Sequence, residues 1–319
     1  MNEENPPRPA RSAGQEPDGR PDSHPGNRPD TRPDTRPVDL HTHSTASDGT
    51  CAPAEVVRLA HEAGLAAVAL TDHDTVDGLA EAGAEAARIG IEFVRGCELA
   101  AKSTPRTVDI LGLWLPEEPE RLTGALAWLI EMREERNREI IRTLAKLGVP
   151  VSYEDLLAEA GGTIGRPHIA KLLVRTGFAS SVQDAFDVFL KRGGKAHVPK
   201  TALSDEEAVE LLKSEGATVI LAHPGIYNLS IGEIEPLVKR LKGHGLDGIE
   251  ARYTEHAANK TREYLCLAER LDLVVSGGSD FHGSIKPGIR IGVGKGNLTV
   301  PHAVLDALKE HRARQGLPV

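Results

Sequence analysis

Long apolar runs are missing from this chain. No stretch approaches the roughly 18–20 residues that a membrane-spanning helix needs. Cysteine is scarce as well. Cys51, Cys97 and Cys266 lie far apart and form no CxxC pair, which excludes a disulfide framework and a thiolate zinc site and fits a reducing cytoplasm. Aromatics make up only 3% of the 319 residues, so stacking platforms for long single strands are few. Positive charge is in deficit, with 38 Lys and Arg against 47 Asp and Glu, a formal net charge of −9. A protein that coats nucleic acid or anionic membrane through bulk charge is therefore not expected, nor is a stable nucleic-acid partner. The opening residues, MNEENPPRPARS, have none of the apolar character of a secretory leader, and the expected location is cytoplasmic.

Proline is plentiful, but unevenly placed. Residues 1–37 hold nine prolines, seven acidic residues and six arginines, with no Leu, Ile, Phe or Trp. Such a segment buries too little apolar surface to offset its ordering entropy, so a disordered tail is expected over 1–37. From Val38 onward, apolar runs alternate with helical patterns. VDLH, AAVALTDH, IEFVRGCEL, TVDILGLWL, ATVILAHPG, DGIEARY and DLVVSGGSDFH read as buried strands. Helices are predicted near 53–63, 77–89, 204–215, 231–243, 256–270 and 302–314. This alternation predicts an α/β fold with a mostly parallel sheet, and the number of strands favours a barrel. It breaks at 117–197, where helical patterns follow one another. The expected organisation is a barrel from 38–116 and 198–319, with 117–197 as a helical insert that caps the active site.

The histidines gather at strand ends. His41 and His43 are two apart, so in a strand both imidazoles share one face. Asp48 follows in the next loop, and His73, Glu98 and His223 end or lie on later strands. Asp280 and His282 repeat the spacing of two at the last strand. In an α/β barrel these ends converge on the active-site face. A lone strand-end histidine is more often structural, and a lone HxH recurs by chance. The paired motifs together point to metal. Imidazole and carboxylate without thiolate suit manganese, iron or zinc. Eight ligands exceed the needs of one ion, and Glu98 is the candidate to bridge two. Clustered cations lower the pKa of bridging water and neutralise phosphate charge, which suits phosphoester hydrolysis by a bridging hydroxide.

The ordered motifs HTHS…D, TDHD, GCE, AHPG and GSDFHG resemble the PHP (polymerase and histidinol phosphatase) family of metal-dependent phosphoesterases, from about Val38 to Asn297. The resemblance implies a distorted seven-stranded TIM-like barrel with two or three divalent ions, manganese first, with iron and zinc as alternatives. It implies that His41, His43, Glu98 and Asp280 hold one ion, Glu98 and His223 share a second, and Asp48, His73 and His282 hold a third. Family members usually carry His where this chain has Asp109, which shifts that position toward oxygen-preferring ions. Asp48 and His223 are the candidates for moving a proton.

The helical stretch with GRPHIA resembles the nucleotide branch, which includes 3′,5′-nucleotide bisphosphate phosphatases and a 5′-to-3′ exoribonuclease. That resemblance implies that Arg166 and His168 face a substrate phosphate. Lys200 and His256 are further candidates of the same sort. The substrate implied is a small phosphomonoester, nucleotide or short oligonucleotide. A histidinol-phosphate phosphatase is the alternative enzyme, and a non-catalytic regulatory or scaffold barrel is the alternative of another class. REERNREIIR, with its alternating charge, reads as a solvated helix face.

Overall fold

The computed structural model describes Met1 and residues 34–159 and 165–319. The tail expected over 1–37 falls outside it for residues 2–33. Its last residue already belongs to the fold, since the Pro37 carbonyl accepts the Ala66 N–H at 2.8 Å.

Seven strands stand side by side in chain order: β1 (Val38–Asp39), β2 (Ala67–Leu70), β3 (Glu92–Lys102), β4 (Thr107–Leu113), β5 (Thr218–Leu221), β6 (Gly248–Tyr253) and β7 (Val274–Gly278). Backbone bonds from Leu40 N–H to Gly277 C=O at 3.1 Å and from His43 N–H to Phe281 C=O at 2.9 Å join the first strand region to the last, which curls the sheet into a TIM-like barrel. The sheet is not uniformly parallel. β4 runs antiparallel to both β3 and β5. Only four residues link β3 to β4, closed by Ser103 N–H to Arg106 C=O at 3.0 Å. A parallel crossover needs a dozen or more residues, so this link can only be a hairpin.

Side chains alternate along the strands and sort into two cores. Ala67, Ala69, Leu111, Leu113, Ile220 and Ala222 pack with Leu305 and Leu308 of α10 (His302–Arg314), which plugs the barrel floor. Their sequence neighbours Val68, Leu70, Ile110, Val219 and Leu221 join a second core with α1 (Pro53–Glu62), α2 (Leu79–Ile89), α7 (Asp205–Ser214), α8 (Ile231–His244) and α9 (Ala258–Arg270). This period of two places Val94 and Glu98 on the interior side of β3, and Asp109 on that of β4 with Leu111. Ser204 and Glu207 form the capping box that starts α7.

Between β4 and α7, the described residues carry only helices. α3 (Glu120–Lys146) is the longest, followed by α4 (Tyr153–Glu159), α5 (Arg166–Arg175), α6 (Val182–Ala185) and a π turn at Phe186–Leu190. They bury a core of their own, including Ile140, Leu144, Leu156, Ile169, Leu173 and Phe189. Among the described residues no helix is long and apolar enough to cross a membrane.

Candidate metal centre

The C-terminal strand ends bring eight predicted residues into one cluster. His41 and His43 leave β1 in extended backbone, and their Nε2 atoms lie 3.1 Å apart. Glu98 reaches them from β3, with Oε2 at 3.2 Å from each Nε2. Its Oε1 lies 2.9 Å from His223 Nε2, beyond the end of β5. Asp280 Oδ1 stands 3.2 Å from His43 Nε2. His73 Nδ1 is 3.1 Å from Glu98 Oε2, and His282 Nε2 is 3.2 Å from Asp48 Oδ1. Three sets have ligand atoms all within 4.8 Å of one another: His41, His43 and Asp280; His41, Glu98 and His223; and His43, Asp48, His73 and His282. Shared His41 and His43 make them one continuous centre. Asp109 stands at its edge, with Oδ2 4.0 Å from His223 Nε2 and outside the three sets.

The electrostatics demand added positive charge. Burial opposes charge on His41, but the Glu250 and Glu98 carboxylates override it and hold its pKa well above the usual value. Burial also acts against His43, while Asp280 and Glu98 raise it to about 9. Burial resists ionisation of Glu98, yet His41 and His223 hold its pKa well below the usual value. Protons on these imidazoles thus stand where a cation would satisfy the same carboxylates. The Nδ1 atoms of His43 and His223 are buried and have no hydrogen-bond partner among the described residues. Imidazole and carboxylate donors packed this closely fit divalent ions. Asp109 differs: burial first, then Glu98, pushes its pKa up to about 6. Asp48 is held at about 2, chiefly by its bond to His282.

Backbone strain concentrates here. Among non-glycine residues, φ is +23° at His223, +56° at Asp280 and +49° at Asp74. Left-handed backbone is unfavourable for such residues and persists where neighbouring structure enforces it. Buried Asp39 supplies part of that enforcement, because its carboxylate accepts Ser279 N–H at 2.8 Å and Gly292 N–H at 2.7 Å.

Three positioning residues escaped the motif reading. Glu250 on β6 is fully buried. Its Oε1 and Oε2 lie 3.1 and 3.2 Å from His41 Nδ1, and Oε2 also accepts the strained His223 N–H at 2.8 Å. Tyr253 donates its hydroxyl to Asp280 Oδ2 at 2.8 Å, and Lys286 Nζ reaches the same oxygen at 2.6 Å. With Oδ2 occupied, Asp280 turns Oδ1 toward the histidines.

The phosphate-contact candidates separate. His256 is buried, with Nδ1 donating to Ala251 C=O at 3.1 Å and Nε2 accepting Gly225 N–H at 3.0 Å. Both ring nitrogens are engaged by backbone, so it braces the turn after His223. A side chain at Gly225 would collide with it, since a Cβ there would lie 2.4 Å from the imidazole. His168 Nδ1 accepts Gly165 N–H at 3.2 Å at the start of its own helix. Arg166 donates to Leu190 C=O at 3.3 Å and lies over the Phe186 ring at 5.6 Å. Lys200 is exposed and lines a small cavity with Arg133, Arg136 and Gly165.

A seven-stranded barrel carrying a His and carboxylate centre at its C-terminal strand ends defines a metal-binding α/β barrel. Residues 39–198 match the PHP domain family, and the chain belongs to that family. It is 35% identical over 244 residues to a 5′-3′ exoribonuclease of Haemophilus influenzae, covering 76% of this chain and 89% of that one. It is 34% identical over 257 residues to a 3′,5′-nucleoside bisphosphate phosphatase of Chromobacterium violaceum, covering 80% and 90%. A solved structure from Bifidobacterium adolescentis, described as a metal-dependent phosphoesterase, superposes with a TM-score of 0.64 at 32% identity, covering 87% of this chain and 97% of that one.

Proposed function

We propose that this protein is a metal-dependent phosphoesterase acting in the cytoplasm on a phosphomonoester of a nucleotide, such as a 3′,5′-bisphosphate, or on the 5′ end of a short oligonucleotide. The observation that carries this reading is the set of three overlapping ligand groups at the strand ends. Two or three divalent ions, manganese by preference, would be held by His41, His43, Asp48, His73, Glu98, His223, Asp280 and His282, with Asp109 at the edge. Bound there, they would supply Lewis acidity toward phosphoryl oxygens and lower the pKa of water.

The chain's own residues do the rest. Glu98 ties His41, His43, His73 and His223 together through its two oxygens. Glu250 and Tyr253 hold His41 and Asp280 in their ligating orientations. Asp48 lies on the open rim with its side chain 57% exposed, where it can accept a proton from the entering water. His223 is buried against Glu98, and we assign it to holding rather than to proton transfer. A groove of about 470 Å³ runs past Asp48, His73 and Asp74 to α3, within the size range of small-molecule sites.

The test is hydrolysis of nucleoside 3′,5′-bisphosphates, mononucleotides, 5′-phosphorylated oligomers and histidinol phosphate by manganese-supplied protein. His43→Ala and Asp280→Ala are expected to abolish turnover while circular dichroism stays native. Retained turnover in either purified variant would overturn the mechanism.

A further inference from the structure

The floor of the barrel, at the end opposite the metal centre, carries a second concave region. Arg95 lies near the start of β3, Trp114 directly follows β4, and Arg312 lies in the last turn of α10. β4 runs antiparallel to β3, with Leu113 opposite Gly96, so its end returns to the floor where β3 begins. With Phe93, Leu317 and Pro318, these residues line a cavity of about 420 Å³, within the size range of small-molecule sites.

Arg312 is only 2% exposed, and among the described residues no carboxylate lies within ion-pair distance of it. Its Nε donates to Pro318 C=O at 2.8 Å. Its Nη1 donates to Gly216 C=O at 2.9 Å and to Thr218 Oγ1 at 3.0 Å. These bonds brace the chain after α10, but they leave both N–H groups of Nη2 without an acceptor among the described residues. Burial pushes the Arg312 pKa below the usual value, against a pull from Asp247. Arg95 repeats the pattern. Its Nε and Nη2 donate to Pro116 C=O at 3.3 Å and Glu117 C=O at 3.1 Å, and its Nη1 has no acceptor among the described residues. A buried cation costs free energy unless acceptors or an anion offset it. Carbonyls and the Trp114 ring, 5.2 Å from Arg312 Cζ, offset only part of that cost.

The wall beside these arginines is strained. Trp114 is held at φ +59°, an unfavourable backbone for a bulky residue. Leu115 N–H donates to Arg95 C=O at 3.0 Å, which locks this turn against β3. Strain enforced in this way is common at ligand clamps. The one acidic side chain on the wall among the described residues, Glu215, already accepts Leu122 N–H at 2.7 Å.

We propose that Arg95 and Arg312 bind the carboxylate of a small organic acid whose flat apolar body rests against Phe93 and Trp114. A carboxylate has two oxygens, one for each open guanidinium edge. A phosphate would carry its remaining oxygens and its second charge into apolar walls. The metal centre takes no part in this binding, which stands or falls apart from the phosphoesterase reading.

Trp114 and Trp128 are the only tryptophans, so Trp128→Phe makes Trp114 the sole indole reporter. Emission of that full-length, manganese-supplied protein would be titrated with 3-phenylpropanoate, with the neutral 3-phenylpropan-1-ol and with inorganic phosphate, and calorimetry would repeat each titration. The acid is expected to bind saturably, and the alcohol about tenfold more weakly or worse, as loss of a charge-assisted bond implies. Arg95→Met should weaken the acid about tenfold, with Arg95→Lys restoring part of the loss. Arg312 also braces Pro318 and Thr218, so it is changed only to Lys, which keeps the charge and loses the fork. Arg312→Lys should weaken the acid severalfold in a protein whose circular dichroism stays native. Equal affinity for acid and alcohol, an affinity unchanged in both arginine variants, or no saturation by either method would overturn the site. Phosphate bound as tightly as the acid would overturn the choice of a carboxylate. A titration that disappears in His43→Ala would put the acid at the metal centre and overturn the floor site.

Discussion

Glu250 tests whether the barrel itself prepares the metal centre. Its carboxylate accepts from His41 Nδ1 and from His223 N–H, so it serves one histidine through the side chain and another through the backbone. Glu250→Gln preserves shape but has only one carbonyl oxygen. If that oxygen keeps the His223 N–H, the amide NH2 faces His41 Nδ1. Two donors cannot meet, so the His41 proton must move to Nε2, the nitrogen that faces His43, Glu98 and Asp280. A protonated Nε2 has no lone pair for an ion. If the amide flips, the strained His223 backbone loses its acceptor instead. Losing such an orienting partner typically lowers metal affinity by about 10–100-fold, or roughly 1.4–2.7 kcal/mol.

The assay is manganese binding to chelator-stripped protein, read by electron paramagnetic resonance, with Tm in chelator as the control for folding. Glu250→Gln should weaken binding tenfold or more while the metal-free Tm falls by a few degrees. Glu250→Asp is expected to sit between the two. Affinity within twofold of wild type, in a folded variant, would refute the idea that Glu250 selects the His41 tautomer.

Other outcomes follow from particular contacts. Tyr253→Phe should weaken manganese binding severalfold without unfolding the barrel, because it removes one of the two bonds on Asp280 Oδ2 and leaves only Lys286; isothermal titration would show it. Gly278→Ala should prevent soluble folding or lower Tm by well over 5 °C. A Cβ there would lie 2.3 Å from His41 Cβ and 2.5 Å from its backbone nitrogen, at the joint that closes the barrel. Asp247→Asn should destabilise the protein by about 1–3 kcal/mol near neutral pH, since it removes charge from bonds to Lys213, His311 and Val219 N–H. Burial opposes ionisation of Asp247, but those bonds win and lower its folded pKa. Its contribution is therefore present above the unfolded value of 3.8 and fades as pH falls through the lower folded value. Thermal melts of the two proteins should converge as pH falls below 3.8, and a gap that widens on acidification would contradict the sign.

The strands were readable because interior packing imposes a period of two and turns impose Gly and polar breaks. The direction of β4 was not, because hydrophobic pattern carries no polarity; only the four-residue link between Lys102 and Thr107 does, and short links force hairpins. The cluster of histidines and acids was readable because HxH and DxH put two donors on one side of a strand end. Glu250 was hidden for the opposite reason. It is a single carboxylate in DGIEARY, and nothing local distinguishes a buried acid that serves histidines on two other strands from an exposed one. His256 reads as a strand-end candidate by position, and only the backbone donors and acceptors around it show that its nitrogens are taken.

Arg133 and Arg136 show how the missing signal could be recovered. Charge alternation along REERNREIIR suggests a solvated face when the segment is read alone. Extended over α3, the period from Leu122 to Leu144 passes through both arginines and through buried Asn137, so polar residues interrupt an otherwise apolar stripe. A helix that merely packed would place Leu or Ile there, because burying a cation without a carboxylate costs free energy. The net charge of −9 does not by itself oppose phosphate binding, because Asp48, Glu98 and Asp280 stand where divalent ions would neutralise them.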